Sequence, residues 1–417
     1  MNRLLTILIP NYNRATELAG LLNSVFDSID AADAADLVDV IVVDDFSSEP
    51  MDSVKSSFGG RPNFKFLLQS KKCGNAETAF LNAIEHVHAD YTWLVGNDDL
   101  LLIEAVSHVI AITKEFSPGL IILNPEIAKA KAGRSFTPLY ADVDLVAYPQ
   151  TRDLFLDFGF ATSTTTFSCI VVRTKEMRAF QEAFDFSQVA TVYSHTFAIF
   201  CAMRELKGLY IGMPLVRFTL NEANDEQAKL QKQAPLNIPL FHQSLGLARL
   251  TNAAARIANI PVKDLLTAKE DEVNKDSMEV VSGTTRHFIS YFLLEQFCWE
   301  LHAAIARDRT IGHLCYSEVL EIFEIIKKSE DEKLISLLQE AIGVYGSPLM
   351  PKEWKHRYLR SRQRDLREMA ESAAFAAPTT GCVNCALKIF GPNLKAVPLR
   401  GTRSGFSSQA PSPHTSH

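Results

Sequence analysis

The first 125 residues alternate between short apolar runs and longer segments in which apolar residues recur every three or four positions. Leu4 to Pro10 is rich in Ile and Leu and reads as a strand. Leu18, Leu21, Leu22, Val25, Phe26 and Ile29 then fall on one stripe of a helix. Val38 to Val43 is a second buried strand and Phe64 to Leu68 a third. Ala76 to His88 predicts a helix, Tyr91 to Val95 a fourth strand, and Leu102 to Phe116 another helix. Leu120 to Leu123 is a fifth strand, closed by Asn124-Pro125. Strands alternating with helices of roughly 10–15 residues predict an α/β domain built on a doubly wound, mostly parallel sheet.

Beyond residue 125 the pattern loosens. Glu126 to Gln150 shows no periodicity and is expected to be a long loop or irregular hairpin. Thr166 to Val172 predicts a strand, Val189 to Leu206 a helix, and Leu209 to Ile211 and Leu215 to Phe218 two short strands around Gly212-Met213-Pro214. After about Asn221 only amphipathic helical segments follow, Pro235 to Ala258 and Thr284 to Glu340. The expected organisation is an α/β domain over residues 1–225, with halves at 1–125 and 126–225. A C-terminal α-helical extension follows over 226–395, then a Ser-, Pro-, Gly- and Thr-rich disordered tail over 396–417.

Composition narrows the partners. A net charge of −7 over 417 residues gives no bulk attraction to nucleic acid. Seven scattered cysteines, an odd number, argue against a secreted disulfide framework and suit a reducing cytoplasm. The apolar run at Leu4–Pro10 is too short for a signal peptide, and no run of about 18 apolar residues occurs, so no membrane span is expected. One segment departs from the acidic total. Residues 352–367 carry Lys352, Lys355, Arg357, Arg360, Arg362, Arg364 and Arg367. This is a solvated helix face or a peripheral contact with the anionic inner face of the plasma membrane. Cys382 and Cys385 form a lone C-x-x-C with no second pair, which is weak support for zinc or redox chemistry.

The candidate chemistry lies where strands end. Pro10-Asn-Tyr-Asn-Arg14 follows the first strand, Asp44-Asp-Phe-Ser-Ser48 the second, and Asn97-Asp98-Asp99 the fourth. Alone, an Asp-Asp pair after a strand is ordinary helix-capping chemistry. Three such clusters at carboxyl ends of one parallel sheet would converge on one edge, where α/β sheets bind ligands. Adjacent carboxylates repel, so Asp98 and Asp99 suit a site where a cation stands between them and a polyphosphate. Trp93, Phe80, Leu81 and Ile84 are expected in the core rather than stacked on substrate.

These motifs, in this order, with Gly74-Asn75 and Asn82 between the second and third clusters, resemble the family-2 glycosyltransferases of GT-A fold. The resemblance is close over residues 4–125 and loose over 126–220. It is nearest to the branch that builds bacterial surface polysaccharides and lipopolysaccharides, including deoxysugar transferases. It implies a metal-dependent, inverting transfer of a hexosyl or deoxyhexosyl group from a nucleoside-diphosphate sugar to a hydroxyl of a saccharide or lipid-linked saccharide. In the implied site Pro10, Tyr12, Arg14, Asp45, Asn75 and Asp98 bind the donor, with Tyr12 stacking on the base and Asp45 reading its edge. Asp99, with Asp98, ligates Mg2+ or Mn2+. Asn97 stands where many members carry another acid, which makes a lean version of the metal motif. The family's general base, an acid at the start of a helix in the second half, falls near Ser194-His195-Thr196, where no carboxylate occurs. His195 is the substitute and Asp185 the next candidate. That gap motivates a second reading, a non-catalytic module of the same fold that binds carbohydrate or a partner enzyme. A sugar-phosphate nucleotidyltransferase or a Rossmann dehydrogenase would need glycines after the first strand, and Asn11-Tyr12-Asn13-Arg14 has none.

Overall fold

The computed structural model describes residues 3–128, 136–138, 145–158, 164, 167–184, 193–218 and 242–266, less 71, 74 and 75. It also describes helical residues between 297 and 361. In chain order the first half comprises β1 (Leu5–Asn11), α1 (Ala15–Ala31), β2 (Val38–Asp44), α2 (Asp52–Phe58), β3 (Phe64–Leu68), α3 (Ala76–Ala83), β4 (Tyr91–Leu94), β5 (Leu100–Leu101), α4 (Ala105–Phe116) and β6 (Leu120–Ala128). The second half adds β7 (Phe136–Pro138), β8 (Val146–Tyr148), α5 (Thr151–Phe158), β9 (Ile170–Arg173), α6 (Thr174–Ala183), α7 (Ser194–Met203) and β10 (Gly208–Phe218). The helices α8 (His242–Ala258), α9 (Val262–Leu266), α10 (His313–Lys327) and α11 (Glu332–Gly346) follow.

Among the described residues, ten strands form one sheet in the order β3-β2-β1-β4-β9-β6-β10-β5, with β7 on β6 and β8 on β10. The parallel ladders β3-β2-β1-β4 and β6-β10 carry most of the pairing; β9 runs antiparallel between β4 and β6. All seven residues of β1 are buried, as expected of a strand covered on both faces. Its alternation divides the core. Ile7 and Ile9 pack with the apolar stripe of α1, Leu18 to Ile29, while Leu8 packs with Phe80, Phe197 and Phe200 on the other face. Each such side chain contributes on the order of 1.5–3 kcal/mol by leaving water. Trp93, Phe80, Leu81 and Ile84 lie in this core, as expected.

The differences from the sequence reading have local causes. Within 126–150, β6 runs on to Ala128, and β7 and β8 are three-residue strands, too short to show alternation. The two short strands around Gly212-Met213-Pro214 are one strand, β10, bulged between Ile211 and Val216. The Asn124 side chain donates to Gly212 O at 2.7 Å inside the bulge. Leu100 and Leu101 pair with β10 before α4 begins, so that helix starts later than its periodicity suggests. All residues of α7 but Ala202 are buried. The helix α8 packs on it, and residues from α8, α10 and α11 belong to the same core cluster, so the helical extension shares the hydrophobic interior of the sheet's second face. Cys382, Cys385 and residues 396–417 lie outside the described residues. Among the described residues no helix is long and apolar enough to cross a membrane.

Candidate active site

Because β2, β1 and β4 are adjacent and parallel, the three polar clusters meet at one sheet edge. They are bonded to one another. Asn11, at the end of β1, donates through Nδ2 to Asp44 Oδ1 at 2.8 Å and accepts through Oδ1 from Asn97 Nδ2 at 2.8 Å. Ser47 donates to Asp44 Oδ1 at 2.5 Å through its hydroxyl and to Oδ2 at 3.0 Å through its amide. Asp44 is therefore consumed in holding its own loop. Asp45, 5% exposed, accepts from Cys73 N at 2.6 Å, which draws the loop before α3 toward the cluster. Asn97 has a physical reason to be an amide: an aspartate there could not donate to Asn11.

The loop after β1 is strained in the direction of the site. Asn13 and Arg14 have φ of 58° and 63°, and Phe46 in the facing loop has 62°. Left-handed backbone at non-glycine residues costs on the order of 1 kcal/mol or more and persists where surroundings enforce it. The enforcement is visible. Asn13 Oδ1 accepts from the amides of Ser48 and Glu49 at 3.0 and 3.2 Å, and Ala15 N donates to Glu49 Oε2 at 3.2 Å. This conformation sends Arg14 toward β4, where Nη1 meets Asp98 Oδ2 at 2.5 Å. Tyr12 remains 43% exposed, with the Lys72 ammonium 4.6 Å from its ring centre. Pro10 is the penultimate residue of β1, paired with Val43.

Asp99 points the other way. Its Oδ2 accepts from Ser168 Oγ at 2.5 Å, and Ser168 Oγ in turn accepts from Gly96 N at 2.9 Å. A Cβ on Gly96 would stand 3.4 Å from Asp98 Oδ1, Asp99 Oδ2 and Ser168 Oγ, so the glycine keeps the space between the carboxylates open. Two carboxylates around an open space form a hard oxygen donor set, which fits Mg2+ or Mn2+ completed by phosphate oxygens. Among the described residues no cluster of three or more His, Cys, Asp or Glu side chains is placed to hold a metal alone. A separate cleft of about 740 Å³ opens at the other end of β4, between Asp90, Lys114, Arg173 and Glu176, and shares no residue with this cluster.

His195 lies apart from the strand ends, in the first turn of α7 at 1% exposure. Its Nε2 bonds Thr164 O at 2.7 Å, and its ring lies 4.5 Å from that of Phe167. A carbonyl only accepts, so Nε2 carries the proton, and Nδ1 is left buried without a hydrogen-bond partner among the described residues. Burial lowers its pKa to about 4, against a smaller raising effect of the Thr164 bond. Asp185 and Asn75 lie outside the described residues.

Two residues the sequence did not single out acquire distant partners in the fold. Ser168 is one. Glu77, in the first turn of α3, is the other: its carboxylate accepts from the amide of Tyr193, at the start of α7. Burial raises the Glu77 pKa, against that bond and one from its own amide. Neither carries a local motif, since each acquires its position only when distant elements pack.

A family model described as glycosyl transferase family 2 matches residues 6–173. No curated protein matches the chain. Among solved structures, residues 1–349 of S. aureus TarS in complex with UDP-GlcNAc are similar at 14% identity and a TM-score of 0.48, over 88% of this chain and 91% of that one. The UDP complex of the same protein gives 14% and 0.49, over 88% and 90%. The mannosyltransferase PcManGT from Pyrobaculum calidifontis, in complex with GDP-Man and Mn2+, gives 14% and 0.41, over 82% and 87%. The three polar clusters joined at the carboxyl edge of the α/β sheet all fall within residues 6–173, the span that is similar to glycosyl transferase family 2.

Proposed function

We propose that the protein binds a nucleoside-diphosphate sugar at the edge formed by β1, β2 and β4 and transfers the sugar, with inversion, to a hydroxyl acceptor. The observation that supports this reading is the bonded cluster at the ends of β1, β2 and β4, in which Asn11 joins Asp44 to Asn97 and Arg14 meets Asp98. The exposed Tyr12 ring would stack on the base once the Lys72 ammonium moves aside, and Pro10 and Asn75 would flank it. Asp45 would accept from the base edge. Arg14 already neutralises one carboxylate, so an incoming diphosphate meets less repulsion than the acidic motif alone would give. Asp99, with Asp98, would hold Mg2+ or Mn2+; bound there, the ion supplies positive charge to the diphosphate as it leaves.

Two carboxylates compete for the proton of the acceptor hydroxyl. Glu77 reaches the start of α7, where the family resemblance calls for an acid, and burial raises its pKa. Asp185 is the candidate of the sequence. In this proposal His195 packs the interior instead. The acceptor is a saccharide or lipid-linked saccharide of bacterial surface-polysaccharide assembly at the inner membrane face. Trp354, 61% exposed with Arg357 5.5 Å from its ring centre, supports membrane contact through the basic segment 352–367. The test is transfer or hydrolysis of nucleotide sugars with Mn2+, beside a thermal-shift screen of the same donors. Donor binding with neither transfer nor hydrolysis would favour the second reading, a non-catalytic carbohydrate- or partner-binding protein, which the absence of an acid in Ser194-His195-Thr196 motivates.

A further inference from the structure

We infer that Ser168 is a positioning residue for the carboxylate of Asp99, acting through that carboxylate on the divalent ion. The inference rests on the metal reading of Asp98 and Asp99 given above. Ser168 lies in a single 3-10 turn, Phe167–Cys169, ahead of β9, and is fully buried. Its hydroxyl stands between two groups whose roles are fixed. The Gly96 amide at 2.9 Å only donates, and the Asp99 carboxylate at 2.5 Å, when ionised, only accepts. The single hydroxyl proton therefore points at Asp99 Oδ2, and the two bonds polarise each other. The turn is anchored on both sides. Trp93 Nε1 donates to Ser168 O at 2.9 Å, which ties it to β4. On the other side the His195 ring packs against Phe167 and donates to Thr164 O, which ties it to α7.

The consequence is a chain of contacts from the interior helix to the carboxylate. The bond to Oδ2 stops rotation of the Asp99 carboxylate about its Cβ–Cγ bond and so decides how its oxygens face the space beside Gly96. Outer partners of this kind orient ligands and tune affinity, and their loss typically weakens metal binding 10- to 100-fold.

The experiment titrates the full chain with Mn2+ alone, reading bound ion by water-proton relaxation. It compares the parent protein with Ser168→Ala, Ser168→Thr and Asp99→Asn, each with its thermal midpoint. The expected results are at least about tenfold weaker Mn2+ binding in Ser168→Ala, near-parent affinity in Ser168→Thr, which keeps the hydroxyl, and loss in Asp99→Asn. A purely structural serine would lower the midpoint and leave the affinity alone. Affinity in Ser168→Ala within about twofold of the parent, with Asp99→Asn still defective, overturns the inference and spares the metal site. Equal binding in the parent and Asp99→Asn sinks the metal site and the inference with it. Should Ser168→Ala fail to fold, Ser168→Cys keeps the volume with a weaker donor; parent affinity in that variant also overturns the inference.

Discussion

Acid should unfold this protein partly through His195. The folded ring titrates at about 4, while the unfolded chain titrates at 6.5. Between those values the unfolded state holds more protons, so stability is complete above about pH 6.5 and declines as pH falls toward about 4. Each unit of pKa difference is worth about 1.4 kcal/mol, so this one ring removes about 2 kcal/mol between pH 7 and pH 5. The cause is local. Nε2 already donates to Thr164, and a second proton would place an N–H at Nδ1, which has no hydrogen-bond partner among the described residues. His195→Phe keeps an aromatic ring against Phe167 and cannot be protonated. It should cost about 1 kcal/mol at pH 7 for the lost hydrogen bond. Thr164 O still has the Thr196 hydroxyl at 3.3 Å. Urea unfolding of both proteins at pH 7 and pH 5 isolates the ring, because every other titrating group cancels in the difference. The variant should lose about 2 kcal/mol less than the parent over that interval. An identical pH response in the two proteins would refute the buried, neutral ring and reopen His195 as an exposed base.

Three further outcomes follow from the site. Asp45→Ala should weaken donor binding in calorimetric titration while costing about 1 kcal/mol of stability for the lost Cys73 amide bond; wholesale unfolding would make Asp45 structural. Glu77→Gln should lower turnover by about 100-fold or more with donor affinity unchanged if Glu77 takes the acceptor proton, whereas that pattern in Asp185→Asn and not in Glu77→Gln assigns the role to Asp185. Gly96→Ala should fold, since its Cβ contacts are at 3.4 Å, but bind Mn2+ more weakly by filling the space between the carboxylates; unchanged Mn2+ binding would place the ion elsewhere.

The first half of the sheet was legible because its information is local. Each buried strand is a mostly apolar run, and each ends in polar residues whose convergence follows from parallel pairing alone. The sequence could not reveal which member of a pair does what. Asp44 and Asp45 are neighbours of the same type, yet one is bonded to Ser47 and Asn11 and the other reaches Cys73. The second half was harder for a different reason. Its contributions are non-local: Ser168 meets Asp99 across 69 residues, and Glu77 meets the start of α7 from another helix. His195 illustrates the same limit. A histidine in an apolar helix reads equally as a base or as a packed ring, and only Thr164 and Phe167, more than 25 residues away in sequence, distinguish them.

The central claim is that Asp99 and its neighbours at the end of β4 act on the diphosphate of a nucleotide sugar. The most direct measurement is release of nucleoside diphosphate from a panel of nucleotide sugars with Mn2+, for the parent protein and for Asp99→Asn at matched thermal stability. Release from at least one donor by the parent, and a loss of about 100-fold or more in the variant, is the predicted result. Equal release by both proteins would contradict it.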